Sequence, residues 1–297
     1  TKTHRIQILE PDLSGNEMNY IKDCLETNWI SSQGQYVKKF EQLFSELHLN
    51  RYSVSVSNGT SALHLSLKTL DIGRGDEVIV PNITFAACAN AVIQSEAEPV
   101  FCEIDNKTWC LKPSEIEALI TPKTKAIMVV HLYGQVADIE SIKAIALKFG
   151  LYVIEDCAEA IGSVFKDKPV GVFGDVATFS FFGNKTISTG EGGMVLFKDK
   201  DFASKCRVLR DHGMNPDKKY WHDIPGYNYR LTNMQAAVGV AQLERFNSIV
   251  EKKIIIFDWY ESLLEHCDGI FQRPLKREFI KHSNWLYTIL LDKNFDK

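Results

Sequence analysis

The chain has no apolar run near the roughly 20 residues that a membrane-spanning helix needs, and its start, Thr1-Lys-Thr-His-Arg5, lacks the apolar core of a secretion signal. A transmembrane or secreted protein is therefore not expected, and the cytoplasm is the expected compartment. It also lacks an excess of either charge: 34 basic residues face 38 acidic ones, a formal net charge of −4. That balance leaves no electrostatic footprint for nucleic acid or an anionic membrane. The seven cysteines are scattered, with no Cys-x-x-Cys pair to suggest zinc or a redox dithiol, so reduced and mostly buried thiols are expected. The histidines, His131, His212 and His222 among them, are not clustered at metal-ligand spacing. Asn-x-Thr triplets at Asn58, Asn82, Asn106 and Asn184 are coincidental without a secretion signal. Internal repeats, low-complexity tracts and Pro/Gly/Ser-rich linkers are missing too, so no boundary is drawn inside the first 230 residues.

What is present is an alternation of short β-branched runs with helical patterns, the signature of an α/β domain with a parallel sheet covered on both faces. Strands are expected at Ser53 to Val56, Val78 to Val80, Pro99 to Ile104, Ala126 to Leu132, Tyr152 to Glu155, Val176 to Phe181 and Gly193 to Phe197. Helices are expected near Ser61 to Leu70, Ala86 to Gln94, Ser114 to Ile120, Ile139 to Phe149 and Phe202 to His212. A long helical stretch from about Asn233 past Leu264 breaks the alternation, and Trp285 to Leu291 reads as a new strand. We therefore expect a large domain over residues 1–240 and the start of a smaller C-terminal one over 241–297. A last strand without sheet partners suggests that the natural protein continues past Lys297.

In open parallel sheets, ligands sit beyond the carboxyl ends of the strands. Val54-Ser-Val-Ser-Asn-Gly-Thr-Ser-Ala-Leu63 is a strand leading into a helix, with Gly59 for close backbone approach and a hydroxyl at Thr60. It can dock a phosphate or merely cap a helix. Asp156 follows the strand Val153-Ile-Glu155, and Lys185 lies between Phe179, Phe181 and Phe182 and the glycine-rich Thr189-Gly-Glu-Gly-Gly193. A partly desolvated amine able to condense with an aldehyde, and a carboxylate able to keep a ring nitrogen protonated, are what pyridoxal phosphate asks of a protein. Each residue alone has a plainer reading, as a solvated lysine and a capping aspartate. Ser180 is a phosphate contact or a strand hydroxyl, and Phe85 stacks on a planar ring or packs in the core. Two rival motifs fail. Gly183-Asn-Lys-Thr186 lacks the glycine that a P-loop needs immediately before its lysine, and Gly190-Glu-Gly-Gly193 precedes a strand, not the helix of a dinucleotide fingerprint.

Taken in order, Asn58-Gly-Thr-Ser-Ala-Leu63, Thr84-Phe85, His131-Leu-Tyr-Gly134, Glu155-Asp-Cys-Ala-Glu-Ala160, Asn184-Lys185, Gly190-Glu-Gly-Gly193 and Tyr227-Asn-Tyr-Arg230 resemble the sugar aminotransferases of the DegT/DnrJ/EryC1/StrS family. The resemblance runs from about residue 6 to the end. Trp29-Ile-Ser-Ser32, Glu159 and Tyr220-Trp-His-Asp223 resemble a subgroup acting on GDP-4-keto-6-deoxy-D-mannose. The resemblance implies a fold-type-I, pyridoxal-phosphate-dependent homodimer with active sites at the subunit interface. Lys185 would hold the cofactor covalently and shuttle protons, Asp156 would pair with the ring nitrogen, Phe85 would stack on the ring and Glu159 would sit near the ring hydroxyl. Gly59, Thr60 and Ser180 would bind the phosphate, joined by Asn228 of the neighbouring subunit. L-glutamate would donate the amine and a nucleotide-linked 4-keto sugar would accept it. UDP- and dTDP-linked sugars stay open as acceptors, as does a binding or regulatory homologue without turnover.

Overall fold

A computed structural model describes residues 8–293. In chain order the elements begin with α1 (Glu17–Glu26), α2 (Gln35–Leu47), β1 (Tyr52–Val56), α3 (Gly59–Thr69), β2 (Glu77–Pro81), α4 (Ala87–Gln94), β3 (Glu98–Cys102), the single turn α5 (Pro113–Ile116), β4 (Thr124–Val130), α6 (Ile139–Phe149) and β5 (Tyr152–Asp156). They continue with β6 (Val164–Phe165), β7 (Lys168–Pro169), β8 (Val176–Ser180), β9 (Gly193–Phe197), α7 (Lys200–Arg210), α8 (Asn233–Glu244), α9 (Phe246–Leu263), β10 (Ile270–Gln272), β11 (Ile280–Lys281) and β12 (Leu290–Leu291).

Seven strands form the main sheet in the order β1-β9-β8-β5-β4-β2-β3. The pairings from β8 through β3 are parallel, whereas β9 runs antiparallel to both β1 and β8. An all-parallel sheet would need a crossover between β8 and β9. The chain instead turns straight back through residues 181–192, and that turn carries Lys185.

Strand residues alternate between two buried layers, as a two-residue side-chain period demands. Val54, Val56, Val176 and Val195 pack with α3, α4 and α7 side chains on one face. Ala177, Phe179, Met194 and Leu196 meet Phe40 and Phe44 of α2 and Ala236, Ala237 and Val240 of α8 on the other. Phe179 and Phe181 make edge contacts with Phe44, at ring-centroid distances of 4.9 and 5.5 Å. Both phenylalanines are therefore core residues, and the aromatic enclosure expected around Lys185 falls to others. On α2, the buried Glu41 accepts the N–H and the hydroxyl of Ser55, each at 2.9 Å, and pairs with Arg207 at 2.7 Å and Arg210 at 2.9 Å. This fixes β1 against α2 and α7.

The long helical stretch is two helices that meet at Arg245. Thr232 opens α8 with a reciprocal capping box to Gln235. The expected strand from Trp285 to Leu291 is reduced to Leu290–Leu291, which pairs antiparallel with β10. Trp285 turns inward and donates its indole N–H to the Asn184 carbonyl at 2.7 Å, because a large amphipathic ring gains more from burial with its N–H paired than from an open sheet edge. Ile280–Lys281 joins β6, and so ties this C-terminal segment to the body of the fold. No helix among the described residues is long and apolar enough to cross a membrane. Six cysteines are buried, Cys267 is exposed, and all are free thiols.

Candidate active site

The site lies at the carboxyl edge of the sheet. Glu155 and Asp156 are neighbours on β5, so their carboxylates point to opposite faces. Asp156 turns to the ligand side, where Oδ1 accepts the Ala158 N–H at 3.0 Å and Oδ2 accepts the Cys88 thiol at 3.2 Å. Glu155 turns the other way and is fully buried. It accepts the backbone N–H groups of Gly171, Phe173 and Gly174 at 2.9, 2.8 and 2.6 Å, and His131 Nε2 donates to it at 3.1 Å. His131 Nδ1 accepts the Ala137 N–H, which places the ring proton on Nε2. Burial alone would raise the Glu155 carboxyl, but the His131 and backbone donors outweigh it and hold its pKa below the ordinary range. His131, Glu155 and Cys157 lie close together, yet both imidazole nitrogens are already engaged.

The turn from β1 into α3 meets the end of β8. Asn58 caps α3 by accepting the Ser61 N–H at 2.8 Å. A Cβ on Gly59 would stand 2.9 Å from the Ser180 Cβ, so only glycine lets these two backbones approach. The first-turn N–H groups of Gly59 and Thr60, with the Ser180 hydroxyl facing them, form an anion cradle.

Lys185 closes the site from the β8–β9 turn. Its ammonium lies 3.7 Å from Glu159 Oε1 and 4.1 Å from the centroid of the Trp285 ring. Burial depresses the amine below the usual lysine range, against the pull of Glu159 and Asp156. The Glu159 carboxyl is raised, again by burial, which the Lys185 charge and the Tyr133 N–H only partly offset. That N–H donates to Glu159 Oε2 at 2.9 Å from a left-handed backbone at Tyr133 (φ 54°), and the Tyr133 ring lies nearly parallel to Trp285.

Gly59, Thr60, Phe85, Asp156, Glu159, Ser180 and Lys185 line one cavity of about 420 Å³. Phe85 is 73% exposed, a bare ring face beside the cavity, not a core residue. Asn228 does not join them. It is exposed, pairs in a bridge with Asp211, and its Oδ1 accepts the Arg230 Nε–H at 3.1 Å. Trp285, Cys88, Tyr133 and Glu155 were not anticipated as site residues. Trp285 was hidden in an apolar run that reads as a strand, and Cys88 in an ordinary helix start. The donor set fits pyridoxal phosphate: an amine whose pKa burial lowers, a carboxylate at the strand end, a free aromatic face and an anion cradle that a Cβ would fill.

The DegT/DnrJ/EryC1/StrS aminotransferase family matches residues 11–297. The chain belongs to this family. The DegT/DnrJ/EryC1/StrS member named GDP-perosamine synthase in Escherichia coli O157:H7 is 48% identical over 285 residues, which are 96% of this chain and 78% of that protein. The GDP-perosamine synthase of Vibrio cholerae is 46% identical over 291 residues, 98% of this chain and 79% of that protein. Among solved structures, Spr1654 from Streptococcus pneumoniae in its PLP form superposes with a TM-score of 0.92 at 28% identity, covering 98% of this chain and 79% of that one. The fold is thus that of the PLP aminotransferases, and the chain is a sugar aminotransferase by family.

Proposed function

We propose that the protein moves the amino group of L-glutamate to C4 of a nucleotide-linked 4-keto-6-deoxy sugar, with GDP-4-keto-6-deoxy-D-mannose as acceptor and GDP-perosamine as product. The observation that carries this reading is the convergence of Lys185, Asp156 and Glu159 on one cavity beside the Gly59–Ser180 cradle. The identity of 46–48% to two GDP-perosamine synthases over nearly the whole chain supports the choice of acceptor.

Pyridoxal phosphate, when bound, supplies an aldehyde that captures amines and a cationic ring that takes up an electron pair. The rest is the work of this chain's residues. Gly59, Thr60 and Ser180 would hold the phosphate, and Phe85 would lie against the ring. Asp156, its carboxylate steadied by Cys88 and the Ala158 N–H, would keep a proton on the ring nitrogen. Lys185 would move the proton between the amino-bearing carbon and the cofactor, and burial, by lowering its pKa, leaves more of the amine neutral at a given pH than an exposed lysine would have. Glu159 receives the Lys185 charge when the amine is protonated, 3.7 Å away.

The reading extends to a homodimer in which Asn228 reaches the phosphate of the partner's site. Its exposure, and the half-exposed Phe182 beside the bare Phe85 ring at the cavity, support a second copy covering this face. Free thiols at every cysteine support a reducing compartment, the cytoplasm.

The test is incubation of the protein with pyridoxal phosphate, L-glutamate and GDP-, UDP- or dTDP-linked 4-keto-6-deoxyhexoses, with the product identified by mass and NMR. A 4-amino product from the GDP sugar is expected. A UDP or dTDP preference would reassign the acceptor, and a protein that forms no amine from any of them would be a binding homologue. Lys185→Ala should lower each half-reaction by about a hundredfold to ten-thousandfold while leaving the melting temperature of the apoprotein near that of wild type.

A further inference from the structure

The Trp285 ring over Lys185 is stacked on Tyr133, with centroids 6.2 Å apart and planes 14° from parallel. The two rings come from segments far apart in the chain, Tyr133 from the turn after β4 and Trp285 from the strap after β11, and neither lies on a strand or an α-helix. One hydroxyl joins their backbones. Ser163 donates its hydroxyl hydrogen to the Gly134 carbonyl at 2.7 Å and accepts the Ser283 N–H at 3.0 Å. Gly134 follows Tyr133, and Ser283 stands two residues before Trp285. Both serines are fully buried, and Ser163 lies outside the lining of the cavity of about 420 Å³.

The hydroxyl is itself fixed in place. The Ser163 N–H donates to the Ala160 carbonyl at 2.8 Å and its carbonyl accepts the Val170 N–H at 3.0 Å, so its position is set by the loop that follows Asp156. Its single hydrogen is committed to Gly134, which leaves the oxygen to receive Ser283. On the strap, the Asn284 N–H donates to His282 Nδ1 at 2.8 Å from a left-handed backbone (φ 55°). That tight bend turns the next residue, Trp285, inward to the Asn184 carbonyl. On the turn, a Cβ on Gly134 would stand 2.8 Å from both His282 Cε1 and Ser283 Oγ, at a φ of +93°. The strap therefore lies hard against the turn. Without the hydroxyl, a buried carbonyl on one segment and a buried N–H on the other lose this partner, and the two segments are free to part.

We propose that Ser163 is a positioning residue for Lys185: its hydroxyl clips the Tyr133 turn to the Trp285 strap and so keeps the indole over the amine. The effect on the lysine passes through Trp285. It rests on Lys185 as the amine that captures pyridoxal phosphate.

A double-mutant cycle on the apoprotein tests this, read as the pH midpoint of pyridoxal phosphate capture followed by absorbance. The carboxylates that act on the amine, Glu159 and Asp156, are the same in every variant. Ser163→Ala should raise the midpoint by about half a pH unit or more, toward that of Trp285→Ala, because an opened site desolvates the amine less. Added to Trp285→Ala, it should leave the midpoint where that change alone puts it, although it lowers the melting temperature in both backgrounds. Gly134→Ala pushes the strap away instead of unclipping it; it should shift the midpoint in the same direction, and it carries the test if Ser163→Ala does not fold. A lower melting temperature with an unmoved midpoint would make Ser163 a structural serine only. An equal shift in both backgrounds would show that it does not work through Trp285. Either result overturns the proposal. Lys185→Ala separates the failures. If that protein still develops the absorbance band of captured cofactor, the lysine assignment falls and the proposal with it. If the band needs Lys185 while Ser163→Ala leaves the midpoint unmoved, only the role of Ser163 falls.

Discussion

Cys88 donates its thiol hydrogen to Asp156 Oδ2 at 3.2 Å, from the first turn of α4 to the end of β5. Burial and the neighbouring Asp156 charge push the thiol well above its ordinary pKa, so it stays protonated and stays a donor. The Thr84 hydroxyl, 3.2 Å from the sulfur, completes the chain. Cys88→Ala should therefore release the carboxylate and weaken retention of pyridoxal phosphate by roughly two- to tenfold, and Cys88→Ser should restore it. Absorbance titration of the apoprotein measures this; equal affinity in all three proteins would show that the thiol positions nothing.

Trp285 shields the Lys185 amine, and burial is the largest cause of its depressed pKa. A depressed pKa means more neutral amine at a given pH than an exposed lysine would offer. Opening the site with Trp285→Ala should raise the amine toward its ordinary value, so that capture of pyridoxal phosphate, followed by absorbance, moves its midpoint to higher pH. Trp285→Phe should keep the midpoint near that of wild type. No difference between the Ala variant and wild type would leave the indole without influence on the amine.

Glu155 is a buried carboxylate whose folded-state pKa is lowered, so its contribution to stability is present above the unfolded carboxylate pKa and is lost as pH falls through the folded one. Glu155→Gln removes a charge that His131 and three backbone N–H groups satisfy, and should cost about 3 kcal/mol at neutral pH. Denaturant melts at neutral and acid pH check both the size and the sign. The gap between wild type and variant should narrow as pH drops, and a gap that widens would contradict the assignment of an ionised side chain.

Gly59→Ala brings a methyl group to 2.9 Å from the Ser180 Cβ and should destabilise the apoprotein by roughly 1–3 kcal/mol through overpacking. In Gly59→Ala/Ser180→Gly the clash is relieved, so stability should recover, while affinity for pyridoxal phosphate should not, since the cradle has lost its hydroxyl. Recovery of both would remove Ser180 from the phosphate site.

The elements that were legible in the chain are those with a local cause. Gly193–Phe197 and Ile139–Phe149 were read correctly to the residue, because an uninterrupted apolar strand and an amphipathic helix ending at Gly150 announce their own limits. α1 and α2 were missed because they stand before the alternating pattern that organised the reading. Trp285 to Leu291 was misread because seven residues rich in large apolar side chains do not say whether they extend along a sheet or fold one ring inward.

The sequence by itself determined the chemistry on offer: an amine at Lys185, carboxylates at Asp156 and Glu159, and a strand-to-helix turn at Gly59 able to take a phosphate. Residue type and near-neighbour spacing are local properties, and the resemblance that the ordered motifs carry supplied the family. Only the tertiary structure decided which groups meet. The strand order brings the start of α3 against the end of β8, the alternation of β5 sends Glu155 and Asp156 to opposite faces, and a tryptophan a hundred residues downstream closes over Lys185. Those encounters arise from contacts distant in the chain, and the close packing that enforces them has no local signature to read.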